Sequence, residues 1–153
     1  MNLNLYQDII QSRLPIMVGD RLGECVSKYS PEEIRATVAQ LVAEERVDLA
    51  HALGQAGLAL YPQSEDILAV AGLLAMLRED WEEAVVVLNE LLEVQGPAAP
   101  VTTHLMFIRS LRCALEPAAA LSAVMLAHEQ YPNHPELERE FEGISALLGL
   151  KTE

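Results

Sequence analysis

The histidines and cysteines of this sequence could in principle bind a metal ion, but their spacing does not favour it. A zinc site on a helix needs ligands three or four residues apart, so that they share one face. His104 and Cys113 fall on one predicted helix but are nine residues apart. No two of the histidines have the required spacing either; they are His51, His104, His128 and His134. We therefore predict no metal site.

Nucleophilic catalysis has equally little support in the residue pattern. Cys25 has no histidine near it in the sequence, and no Gly-x-Ser-x-Gly segment is present. Segment 19–23 lacks the Lys-Ser or Lys-Thr ending of a phosphate-binding loop. Adjacent acids such as Glu44 and Glu45 point about 100° apart on a helix, so they do not form a facing acid–base pair. We predict no enzyme activity and no cofactor; the alternative is a small helical enzyme that uses Cys25.

The charge and composition of the chain restrict its class. Ten basic and 23 acidic residues give a formal charge of −13 over 153 residues. The apolar fraction of 51% excludes an intrinsically disordered chain, and the length fits one domain with its own core. Because so acidic a surface repels phosphate backbones and anionic lipid headgroups, we expect no nucleic-acid partner and no membrane insertion.

No targeting segment is evident in the sequence. Residues 1–18 lack the basic start and long apolar block of a secretory signal. No uninterrupted apolar stretch reaches the length of about 20 residues that a membrane span requires. Cys25 and Cys113 lie far apart in the sequence and, without an export signal, are predicted to be free thiols. We therefore expect a cytoplasmic protein.

Proline and glycine divide the chain into short segments with a helical period. Ser30, Ser64 and Asp80 are predicted N-caps. The valine run 85–87 favours a strand by residue type, but it lies inside a capped helical pattern and is predicted to be helical. The predicted helices begin at Pro31, run over 47–60, 65–78, 81–94 and 101–115, then from about Pro117 to Tyr131, and onward from Pro135. This predicts an all-α fold of short antiparallel helices.

The first thirty residues fit this pattern less well. The side chains from Leu5 to Leu14 include an apolar stripe typical of an amphipathic helix, which Pro15 would end. Residues 16–29 are either a further helix that covers the first hairpin or a mobile arm. We therefore predict an N-terminal segment, 1–30, and a helical domain, 31–149.

A regular internal period indicates repeated helical hairpins. Pro62 and Pro132 each follow a tyrosine at a predicted helix end, and Pro97 lies between them, one period after Pro62. A period of about 34 residues with two helices per unit is typical of the tetratricopeptide repeat (TPR). The middle unit resembles this family through its small residues Gly72 and Ala84 and through the segment EDWEEA that ends at Ala84.

The other two units resemble the repeat more loosely. The first keeps small second-helix positions at Ala50, Gly54 and Gly57, although Val38 replaces the usual glycine of its first helix. The third keeps the same positions at Ala120, Val124 and Ala127. The resemblance covers residues 31–132, with two residues inserted near 98–100, and implies about three TPR-like hairpins followed by a capping helix over 135–149. The alternative is an unrelated helical bundle with a proline near each helix end.

The resemblance also implies where a partner would bind. The first helix of each TPR hairpin lines the concave side of the array. The residues at such positions here are Arg35, Ala39 and Val42 in the first unit, Asp66, Ala69, Leu73, Met76 and Leu77 in the second, and Leu105, Arg109 and Arg112 in the third.

Two interpretations of these residues stay open on the sequence alone. In one, they form a trough for a segment of another protein, with Leu73, Met76 and Leu77 holding apolar side chains and Arg109 and Arg112 holding a carboxylate. In the other, the leucines are core and the arginines only balance acids of the same chain.

The small size, acidity and short array resemble the TPR chaperones and accessory proteins of bacterial type III secretion. This resemblance implies an adaptor or chaperone that covers an apolar segment of a partner protein until it is used. The alternative is a structural subunit whose copies join into a homodimer or larger homo-oligomer through Leu5, Ile9 and Ile10 with the stripe that contains Phe141.

Overall fold

A computed structural model describes residues 29–150, and every regular element in this range is helical. The range contains α1 (Pro31–Ala43), α2 (Val47–Leu60), α3 (Glu65–Leu77), α4 (Trp81–Gln95), a short 3-10 helix (Gly96–Ala98), α5 (Val101–Cys113), α6 (Pro117–Gln130) and α7 (Pro135–Leu147). The all-α prediction is confirmed, and the valine run lies inside α4. The predicted N-terminal helix, segment 19–23 and Cys25 lie outside the described residues.

Helix starts are set by the capping side chains that the sequence predicts. Ser30 Oγ accepts a hydrogen bond from the Glu33 backbone N–H at 3.2 Å and donates one to the Glu33 carboxylate at the same distance. Asp80 Oδ1 accepts from the Glu83 backbone N–H at 3.3 Å. Ser64 caps α3 in the same way. The three bonds from a backbone N–H each satisfy a donor that the first turn of a helix leaves without a partner.

The turns that follow α1, α3, α5 and α7 share one geometry. In each, a residue with positive φ follows the helix, and a backbone N–H bonds the carbonyl five residues earlier at 2.8–3.0 Å. The donor and acceptor pairs are Arg46 and Leu41, Asp80 and Ala75, Glu116 and Leu111, and Leu150 and Ser145. These turns recur at the TPR period, and the middle interval is longer by two, which confirms both the period and the insertion.

Two tyrosines join the end of a hairpin to its beginning. Tyr61 Oη donates to the backbone carbonyl of Tyr29 at 2.8 Å, and Tyr131 Oη donates to that of Ala99 at 2.7 Å. Tyr131 follows Tyr61 by two repeats, and Ala99 follows Tyr29 by two repeats. The same hydrogen bond therefore closes the first and the third hairpin. The sequence predicts Tyr61 and Tyr131 only as helix ends.

The chain forms two compact units, divided inside α3 between Leu74 and Ala75. Each unit has an aliphatic core, as the low aromatic content predicts. The first core is built on Ile34, Val38, Leu41, Ala50, Leu53, Ile67, Val70 and Leu74. The second is built on Leu105, Ile108, Leu111, Ala120, Ala123, Val124, Ala127, Leu137 and Ile144.

Small residues on α2 allow α3 to approach it closely. A Cβ added to Gly54 would lie 2.9 Å from Leu74 Cδ1, and one added to Gly57 would lie 3.1 Å from Ile67 Cδ1. Both distances are tighter than ordinary van der Waals contact, so the two glycines set the distance between the helices in the first unit. The TPR resemblance implies close packing of the two helices of one hairpin, whereas the closest approach of these glycines is to the first helix of the next hairpin.

The half-buried His104 makes folding depend on pH. Its Nε2 lies 3.3 Å from Gln130 Oε1, and its ring meets the Tyr131 ring edge-on at 6.1 Å between centroids. Burial lowers the pKa of His104 below its ordinary value of 6.5, although the Gln130 hydrogen bond acts in the opposite direction.

We expect the free energy of unfolding to fall as the pH falls below about 6.5, because the unfolded chain then binds a proton that folded His104 does not yet bind. His104→Gln is expected to reduce this loss by less than about 1 kcal/mol, since solvent reaches part of the ring and screens its charge. Urea unfolding at about pH 7.5 and about pH 5.5 measures the difference. An unchanged pH dependence in the variant would contradict the assignment to His104.

Candidate protein-binding surfaces

The predicted positions that fall in the first compact unit, which ends at Leu74, form one surface on α1 and α3. We call it the first-unit surface. It consists of Arg35, Ala39, Val42, Asp66, Ala69 and Leu73. The three residues on α1 recur at helical spacing, as do the three on α3. Arg35 Nη1 donates to Asp66 Oδ1 at 2.7 Å, so the predicted positions of the two helices lie side by side.

The first-unit surface has a small apolar centre beside an exposed large side chain. Ala39 is exposed, Ala69 is half-buried, and Val42 packs against the core from its edge. Leu73 has 48% of its surface exposed, whereas Leu74 beside it is fully within the core. A partner side chain could therefore lie over the alanines and contact Leu73 without displacing the core.

The predicted positions that fall in the second compact unit, which begins at Ala75, differ in how far their side chains are exposed. Leu77 is 51% exposed and Met76 is half-buried, both at the end of α3. Leu105 is only 6% exposed and belongs to the second core. Of these three side chains, only Leu77 and Met76 present apolar surface to a partner.

Both predicted clamp arginines already hold carboxylates of α7. Arg112 Nη1 donates to Glu140 Oε2 at 2.7 Å, and Arg109 Nε donates to Glu140 Oε1 at 3.3 Å. Arg109 Nη2 also donates to Glu136 at 3.1 Å. The Glu140 side chain is only 8% exposed, whereas the arginines remain 36% and 45% exposed. A buried carboxylate shared by two guanidinium groups joins α5 to α7.

Side chains suited to other chemistry are scattered in the part of the chain that the structure describes. Within residues 29–150, no group of three or more His, Cys, Asp or Glu side chains is placed to hold a metal ion. Cys113 is a free, exposed thiol. His134 caps α7, since its Nδ1 accepts from the Glu136 backbone N–H at 3.3 Å. None of the described helices is both long and apolar enough to cross a membrane.

A groove that the predicted sites do not include lies between α6 and α7. Its volume is about 600 Å³, and its walls include Met125 and Phe141, which are 57% and 38% exposed. We call it the α6–α7 groove. The sequence does mark this groove. Phe141 and Glu142 occupy the positions that Phe107 and Ile108 occupy one repeat earlier, so an acid stands where the earlier repeat has isoleucine.

Comparison with solved structures identifies chains of similar fold. The structure of MamA MSR-1 superposes with a TM-score of 0.71 at 16% sequence identity, over 96% of this chain and 88% of that chain. Two crystal forms of MamA AMB-1 give TM-scores of 0.73 and 0.69 at 15% and 16% identity. Each covers 97% of this chain, and the shares of the MamA chains are 80% and 89%.

Comparison by sequence identifies no relative. No protein-family model matches the chain, and no curated protein matches it. The structural neighbours are TPR-like helical proteins, so the predicted TPR-like fold is confirmed. The chain has the TPR-like helical fold that is also seen in MamA, and at this level of identity the likeness shows the fold alone.

Proposed function

We propose that this protein is a binding adaptor or chaperone that holds a segment of another protein against the first-unit surface. The TPR-like fold suggests an interaction role rather than catalysis. The observation that carries the proposal is Leu73, which is 48% exposed and lies one helical turn after Ala69 on the same surface. An exposed leucine beside small apolar side chains offers a contact for the apolar side of a partner segment.

The charged residues set the orientation of the partner in this proposal. The Arg35–Asp66 pair is partly exposed, so a partner carboxylate or base can exchange with either member. In the second compact unit, taken by itself, Arg109 is available to a carboxylate, because its bond to Glu136 joins two side chains that are 45% and 43% exposed. Arg112 is less available, since its partner Glu140 is buried.

The type III secretion role stays a prediction from the sequence resemblance. The structural neighbours named above are MamA proteins, and they give that role no support. Homo-oligomerisation also stays a prediction, because Leu5, Ile9 and Ile10 lie outside the described residues. Light scattering over a range of concentrations tests it directly.

The adaptor proposal predicts that Leu73→Gln weakens partner binding by at least about fivefold, since the leucine buries apolar surface worth about 1 kcal/mol or more. The partner is first recovered with the wild-type protein from its native cell and identified by mass spectrometry. Its purified form is then titrated into wild type and variant by calorimetry.

The matched control is Leu126→Gln, which removes a side chain that is 63% exposed in the second compact unit. We expect the control to bind within about twofold of wild type, because Leu126 is not part of the first-unit surface. Equal affinities of the control and of Leu73→Gln would overturn the proposed site.

A further inference from the structure

The α6–α7 groove lies where the repeat would place another helix. The turn after α7 reproduces the turn after α5 one repeat later, so Phe141 and Glu142 correspond to Phe107 and Ile108. In the same way, Val124 on α6 corresponds to Leu88 on α4. The pair α6 and α7 therefore repeats the pair α4 and α5.

Between residues 29 and 150, a helix, α6, follows and packs beside the earlier pair, and no helix does so for the later pair. Leu88 and Ile108 are fully buried. Phe107 packs against the core to which α6 contributes Ala120, Ala123 and Val124. At the corresponding places of the later pair, Phe141 is 38% exposed and Glu142 is exposed. The α6–α7 groove is thus the counterpart of a site that α6 itself fills one repeat earlier.

The charges around the groove specify what can fill it. Glu129 on α6 and Glu138 and Glu142 on α7 line it, and all three are exposed. Among residues 29–150, none of these carboxylates forms an ion pair, and Arg139 beside Glu138 pairs with neither neighbour. A neutral helix in the groove would remove Glu142 from water without compensation, at considerable cost.

We propose that the α6–α7 groove binds an amphipathic helix of another protein whose narrow apolar face is flanked by lysine or arginine. The apolar face would contact Met125 and Phe141 over the floor formed by Val124 and Leu137. The basic side chains would pair with Glu129, Glu138 and Glu142. A second copy of this chain is a poor occupant, because two chains of charge −13 would bring carboxylates together.

Two peptides test the proposal, and both use α6 as the template because it fills the equivalent site. Each has the sequence of residues 116–131 with a fluorophore. The lysine peptide carries Ala119→Lys, Leu126→Lys and Gln130→Lys in one stripe beside the apolar face of α6, on the side where Gln130 contacts His104, the counterpart of Glu138. The glutamate peptide carries glutamate at the same three positions. Fluorescence anisotropy with the full chain at low ionic strength measures their affinities.

We expect the lysine peptide to bind saturably below about 1 mM and the glutamate peptide at least about tenfold more weakly. Added salt should weaken binding of the lysine peptide, because it screens the attraction between the lysines and the carboxylates that line the groove. Equal affinity for both peptides, or no saturable binding of either, would overturn the proposal.

Variants of the protein locate the binding. Glu142→Lys is expected to weaken the lysine peptide by at least about tenfold and to strengthen the glutamate peptide, whereas the control Glu90→Lys on α4 stays within about twofold. Met125→Gln with Phe141→Gln should also weaken binding of the lysine peptide by at least about tenfold. The control, Leu126→Gln with Leu147→Gln, should change this affinity only slightly. Circular dichroism checks that each variant folds.

Two results would reject this occupant or this site. If each variant matched its control, the peptide would not lie in the groove. If the wild-type protein associated with itself at micromolar concentration and Met125→Gln with Phe141→Gln abolished that association, a second copy would be the occupant.

Discussion

Arg109→Ala combined with Arg112→Ala is expected to lower the free energy of unfolding by about 3 kcal/mol. The double change leaves Glu140, whose side chain is 8% exposed, without either guanidinium group that now pairs with it at 3.3 Å and 2.7 Å. A buried carboxylate without a partner costs far more than the exposed ends of the two arginines contribute. The value lies at the low end for a broken buried pair because both arginines reach solvent. Urea unfolding followed by circular dichroism measures it.

A compensating change separates this explanation from a loss of packing. Adding Glu140→Leu to the double variant removes the buried charge and should restore most of the lost stability, since an apolar replacement of a buried ion pair is often neutral. Arg35→Ala serves as the exposed comparison, because its pair with Asp66 joins side chains that are 54% and 32% exposed, and it should cost less than about 1 kcal/mol. A double variant as stable as Arg35→Ala would contradict the structural role of Glu140.

The same contacts change how the arginines relate to function. On the sequence alone, Arg109 and Arg112 were equally suited to hold a partner carboxylate or to balance acids of the chain. The ion pairs with Glu136 and Glu140 provide the second role. A binding defect in an Arg112 variant would therefore need a stability measurement beside it. Leu73 avoids this difficulty, because about half of its surface is free of the core.

The fold could be predicted because its signals are local. Ser30, Ser64 and Asp80 cap helices through atoms three residues away, and proline fixes where helices stop. The small residues of α2 were predictable in the same way, because repetition at fixed intervals marks them without knowledge of the contacts. These features are properties of short segments, and the sequence displays them directly.

The contacts that could not be predicted join residues about one repeat apart. Tyr61 reaches the Tyr29 carbonyl across 32 residues, and Arg112 reaches Glu140 across 28. Each depends on the relative rotation and shift of two helices, which a hydrophobic period does not fix. The positive φ of Glu45 and Leu115 could not be predicted from residue type either, because the turn imposes this conformation on residues that do not favour it. The division into two units inside α3 also has no composition change to mark it.

Gly54→Val is expected to lower the free energy of unfolding by about 3 kcal/mol, because the first core has no room for the new side chain. The Cβ alone would lie 2.9 Å from Leu74 Cδ1, and Leu74 is 2% exposed within the core. The two methyl groups of valine therefore require Leu74 to change rotamer or α3 to move away from α2. Glycine is the poorer helix former, so helix propensity acts in favour of the variant and only the packing opposes it.

Gly143 on α7 provides a control that differs only in its surroundings. It is exposed, and a Cβ added there meets nothing within 4 Å. Gly143→Val should therefore be neutral or stabilising by up to about 0.5 kcal/mol, the gain in helix propensity over glycine. Gly54→Ala adds one carbon against a methyl group that can move, so steric cost and propensity nearly cancel and we expect a change within about 1 kcal/mol. If Gly54→Val unfolded at the same urea concentration as Gly143→Val, the close approach of α2 and α3 through Gly54 would be wrong, and with it the physical reason for a small residue at this position of the repeat.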